Sequence, residues 1–63
     1  MLKNIEFSIL KELDKQHFRS DIVSVIMNKL DTDKKKQSFL SYLINNRNVI
    51  LQLNEVMINI ATY

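Results

Sequence analysis

Asp14, His17 and Asp21 bring two carboxylates and an imidazole close together in the chain. A divalent metal site or an acid–base pair are the chemistries such a set would serve. Asp14 and His17 lie one turn apart on a predicted helix, but a helix boundary separates Asp21, and no second His exists. Divalent sites use three or four convergent ligands. His17 therefore reads as the end of an apolar stripe, with its ring edge in water. Asp31, Asp33 and Lys35 resemble the opening of a calcium loop. Lys occupies the third oxygen position, no Gly makes the bend, and no Glu closes the loop. The Ser and Lys side chains form no nucleophile elbow, Gly-rich phosphate loop or Ser–His pair. We expect no catalytic residue, no metal, no cofactor and no small-molecule substrate, and so no enzyme.

What remains is recognition without covalent chemistry. Lys34, Lys35 and Lys36 are the densest charge in the chain. If the flanking helices formed a helix-turn-helix, the outward face of the second would offer Lys34, Lys35, Gln37, Ser38 and Ser41, types that contact phosphates and base edges. Against this, the Asp31–Asp33 turn is acidic, and Lys at a helix start opposes the helix dipole. The net charge of +2 is also well short of the field of a dedicated nucleic-acid binder. DNA binding is the alternative reading. The stronger signal is apolar. Phe7, Tyr42, Leu51, Ile58 and Tyr63 fall off the main stripes, where a small helical monomer has difficulty burying them. With Met57 on the broad stripe of the last helix, they are the expected dimer or partner interface.

The elements that would carry these residues follow from composition and periodicity. The chain has 63 residues and no Gly, Pro or Cys. It is one domain, and a domain of this size buries only about 60% of the surface its unfolded chain exposes. Without Cys there is neither a disulfide nor a thiolate zinc site to reinforce it. A second subunit is the remaining staple, unless very good helix packing alone suffices. Tight hairpins depend on Gly, whereas helices tolerate its absence if Asn or Asp fills the caps. We expect an all-α bundle of three to four short helices, dimeric through the last.

Leu2, Ile5, Ile9, Leu10 and Leu13 predict a helix over about residues 2–18. Ser20 caps a second over about 21–30, with Ile22, Val23, Ile26, Met27 and Leu30 as its stripe. Asp31-Thr32-Asp33 stops that helix and caps a third over about 34–45, striped by Phe39, Leu40, Leu43 and Ile44. Asn45-Asn46-Arg47-Asn48 is weak in helix propensity, and Asn48 would cap a fourth helix. The stripes on either side overlap in angle, so a single helix from about residue 34 to 62 is the alternative. Val49, Ile50, Leu53, Val56, Met57, Ile60 and Ala61 make the last segment apolar around most of its circumference, the mark of a buried central helix.

Lys3, Glu6, Lys11 and Glu12 break the first apolar run, so no secretory leader is expected. No run approaches the ~18 apolar residues of a membrane span. The cytoplasm is the expected compartment. Abundant Lys, Asn and Ile fit AT-rich coding DNA, as in a low-GC bacterium or its phages. The expected function is a small interaction or regulatory module that presents a helical surface to itself and to another protein.

Overall fold

The chain folds into four short helices, α1 Leu2–Lys15, α2 Ser20–Lys29, α3 Asp33–Asn45 and α4 Leu53–Ala61. The computed structural model describes residues 2–63, with side chains from Ile5 onward. The expected core role of Leu2 lies outside the described side chains. Among the described residues there is no strand.

α1 and α3 form the closest helix pair, and α4 touches both α2 and α3. Three cross-links show the direction of the central pair. Lys36 reaches Glu6, Arg47 reaches Glu12, and the Val49 carbonyl reaches Gln16. Partner numbers rise together along both helices, so α1 and α3 run parallel. α2 is the return limb between them. α4 runs back along α3, since Thr62 and Tyr63 share a shallow cleft with Thr32, Lys34 and Ser38 at the start of α3. Ile9 and Leu13 from α1, Ile26 and Leu30 from the second limb, Phe39 and Leu43 from α3, and Val56 and Ile60 from α4 meet in one core.

Local sequence explains most helix ends. Thr32 caps α3 by accepting the Lys35 amide at 3.2 Å, as the Asp31-Thr32-Asp33 turn predicts. α2 starts at Ser20 itself, with Arg19 extended before it and no side-chain cap bond. Asp21 instead accepts its neighbour's amide from Ile22 and pairs with Arg19 at 2.7 Å.

α1 ends three residues before the periodicity predicts, because His17 adopts φ 64°. The Phe18 amide donates to the Leu13 carbonyl and the His17 amide to the Asp14 carbonyl. That is the paired bond pattern of a Schellman stop, with a left-handed residue where Gly is usual. Phe18 then packs against the core beside Leu13. His17 is thus an exposed capping residue and closes no apolar stripe. An L-residue in this conformation costs about 1–2 kcal/mol. Replacing His17 with Gly is expected to add about 1 kcal/mol of stability, a rise of about 4–8 °C in Tm. Thermal melts of the two proteins check this, and an unchanged or lower Tm counts against the strain.

Candidate interaction surface

The structure sorts the expected interface residues into three groups. Phe7 at 66% exposure and Ile58 at 61% stand in solvent, and Tyr63 is also exposed. Phe7 and Ile58 sit on α1 and α4, which are not a closely packed pair. Tyr42 and Met57 are partly buried against the core, and Tyr42 stacks on Phe39 with ring centroids 5.8 Å apart. Burial, then the charge of Glu55, raises the Tyr42 phenol pKa. Burial, then Tyr42, raises that of Tyr63, whose hydroxyl donates to the Asn59 side-chain oxygen. Leu51 belongs to neither surface group. At 7% exposure it is a core residue of the same chain.

Leu51 is buried because α4 begins at Leu53 and leaves residues 46–52 as a non-helical strap. Two side chains hold this strap, Glu12 on α1 and Gln16 just after its end. Gln16 donates its amide to the Val49 carbonyl at 3.3 Å and accepts the Leu51 amide at 3.4 Å. One carboxamide thus engages the backbone on both sides of Ile50, much as a neighbouring strand would. With Leu51 turned into the core, Ile50 is turned out, and it reaches 81% exposure. Val49 before it and Leu53 after it are exposed as well. This end of the bundle therefore carries an apolar patch on a bonded support.

The second tether is an ion pair between a buried carboxylate and a half-exposed guanidinium. Glu12 is the one buried charged residue among the described side chains. Arg47 donates to both its oxygens, Nε to Oε1 at 3.1 Å and Nη2 to Oε2 at 3.2 Å, and Lys15 Nζ lies 3.5 Å away. The Arg47 hydrogen bonds hold the Glu12 carboxyl below the usual carboxylate range, against the opposing effect of burial. Among the described residues no buried side-chain nitrogen or oxygen lacks a partner. Sequence reasoning missed Glu12, Gln16 and Arg47. The signal available was Glu12 on the Ile9–Leu13 side of α1, where an unpaired carboxylate would be costly.

The lysine run is less free than its spacing suggests. Lys35 pairs with Asp31 at 3.0 Å and lowers that carboxyl's pKa, chiefly through its hydrogen bond. Lys36 lies 3.4 Å from Glu6 on α1. Among the described residues only Lys34 of the three has no carboxylate within ion-pair distance. Gln37, Ser38 and Ser41 are exposed on the outward face of α3, as expected. α2 and α3 are not a closely packed pair, unlike the two helices of a helix-turn-helix. No group of acidic or His side chains among the described residues is arranged to hold a metal. No described helix is long and apolar enough to cross a membrane. No protein family, curated protein or solved structure matches the chain.

Two measurements check the strap. Leu51→Ala is expected to cost about 2–4 kcal/mol, as for other buried Leu truncations, and Ile50→Ala to stay within about 0.5 kcal/mol. Denaturant melts compare them, and equal costs would contradict the burial of Leu51 and the exposure of Ile50. The ion pair sets a pH dependence. A lowered folded-state pKa contributes stability that is present above the unfolded carboxylate pKa and is lost as pH falls through the folded value. Arg47 is half exposed, so the pair is worth about 1–2 kcal/mol. Glu12→Gln is expected to flatten the acid limb of a stability–pH curve. A limb of undiminished slope would place the titrating group elsewhere.

Proposed function

We propose that this chain is a small non-enzymatic interaction module, acting through an apolar helical surface and self-associating as a homodimer. The observation that carries the reading is Ile50, which stands 81% exposed on a strap bonded in place at both flanks. Isolated exposed hydrophobes are ordinary. Here Val49, Ile50 and Leu53 are exposed within one short stretch. A chain of this size also gains most from added core, since its own is small. The exposed ridge of Phe7 and Leu10 on α1 is a second apolar surface, suited to a different protein. A regulatory role would follow if association at one surface altered the other.

The test is solution mass across a concentration series for the wild type and Ile50→Asp. The wild type is expected to reach dimer mass and to melt at higher temperature as concentration rises. Ile50→Asp is expected to stay monomeric with unchanged far-UV circular dichroism, because the side chain makes no core contact. A wild type that is monomeric throughout would refute self-association. A variant that dimerises equally well would place the interface elsewhere.

A further inference from the structure

The strap that follows α3 depends on tertiary contacts. No Gly or Pro occurs in residues 46–52, or anywhere in the chain, so no residue there bars a helix. Asn46 ends α3 locally, its side chain donating to the Tyr42 carbonyl, and beyond it three contacts keep the strap out of helix: Gln16, the Glu12–Arg47 pair and burial of Leu51. All three require α1 or the core.

The register through the corner is the second observation. Phe39, Leu43, Ile50, Leu53, Met57 and Ile60 fall on one alternating four–three repeat, with Asn46 at the remaining seam position. A repeat of this kind sustained over about three heptads is the pattern of a continuous helix that packs along its length. Phe39, Leu43, Met57 and Ile60 already face the core in the bent chain. Ile50 and Leu53, the two apolar seam residues nearest the corner, are the ones the bend leaves exposed.

We propose that self-association proceeds by exchange of α4 between two copies of this chain. Residues 46–52 join α3 and α4 into one helix, and each α4 seats on the α2–α3 surface that the other copy's α4 vacates. The inference rests on the self-association reading above and names its mode. Length forces the exchange. A helix over residues 33–61 is about 44 Å long at 1.5 Å per residue, while the longest dimension of the folded chain is 27 Å. Once straightened, α4 cannot return to its own core. Val56 and Ile60 then need an identical site elsewhere, and a second copy supplies it with the same contacts. Ile50 and Leu53 gain partners along the seam, at the expense of the Gln16 bonds and the Leu51 position.

Leu53→Pro separates the two forms. Leu53 is the first residue of α4, where Pro is favoured, and Gln52 before it already has the extended φ −94°, ψ 140° that a following Pro requires. In a continuous helix the same Pro removes a backbone bond and clashes with the preceding turn. Sedimentation equilibrium and circular dichroism over a concentration series read the outcome. The expected result is a dimeric wild type whose helicity per residue rises on association. Leu53→Ala should keep the dimer, and Leu53→Pro should remain a folded monomer. Dimerisation of Leu53→Pro, loss of the dimer in Leu53→Ala, or wild-type helicity that stays flat on association would overturn exchange while leaving surface association standing. A wild type that never dimerises would overturn both.

Discussion

The hold of α1 on residues 46–52 is the constraint on which the shape of this protein depends. A corner between two helices is ordinarily written into the chain by a Gly that accepts left-handed dihedrals or a Pro that refuses helix. This chain has neither. Its corner is made by one carboxylate, one guanidinium and one carboxamide, each bonded across more than thirty residues of sequence. From that hold follow the burial of Leu51, the exposure of Ile50 and the return of α4 along α3. The same three side chains place α1 against α3, so the tether and the central packing reinforce each other.

Electrostatics here works mainly to tie segments together. Glu6 and Glu12 both meet cations from the α3 side, Lys36 and Arg47, near opposite ends of the parallel pair. Asp31 absorbs Lys35 at the start of α3. A lysine run that looks like a phosphate-binding face in the bare sequence is therefore largely engaged within the fold. The unbalanced surface that remains is apolar, at Val49 and Ile50 and at Phe7 and Leu10.

Features set by near neighbours were legible in the sequence. The Thr32 cap, the stripes of α2 and α3 and the end of α3 at Asn45 rest on residues within a turn or two, and α1 to α3 lie close to their expected spans, whereas α4 starts at Leu53 behind Gln52 and not behind the expected Asn48 cap. Features set by distant partners were not. Helical periodicity groups Val49, Ile50 and Leu53 with α4, because an extended strap and a helix can carry the same apolar residues. Gln16, Arg47 and the burial of Leu51 decide between them. Leu51 was therefore assigned to an interface when it belongs to the core, and α4, expected at the centre, lies at the flank, where Ile58 faces solvent. Glu12 escaped notice because a carboxylate on an apolar face reads as an interruption until Arg47 is beside it. His17 is a different case. His is among the few non-Gly types enriched at positive φ, but its position between helices does not announce one, and the Schellman bonds appear only once Phe18 is seen turning inward.

The parallel arrangement of α1 and α3 also bears on how the chain finds its fold. In a bundle of sequential antiparallel hairpins each helix packs first on its neighbour in sequence, and the contacts that matter are local. Here the central pair is interrupted by the whole of α2, so the loop that brings Ile9 and Leu13 to Phe39 and Leu43 must close before any core exists. That closure carries an entropic cost that local helix formation does not repay until the pair meets. α4 has no such central role, and its corner cannot form until α1 and α3 are together. The contact pattern thus favours assembly of α1 with α3 across α2, then the strap, then α4, which makes the last helix the one whose docking the rest of the molecule must first be ready to receive.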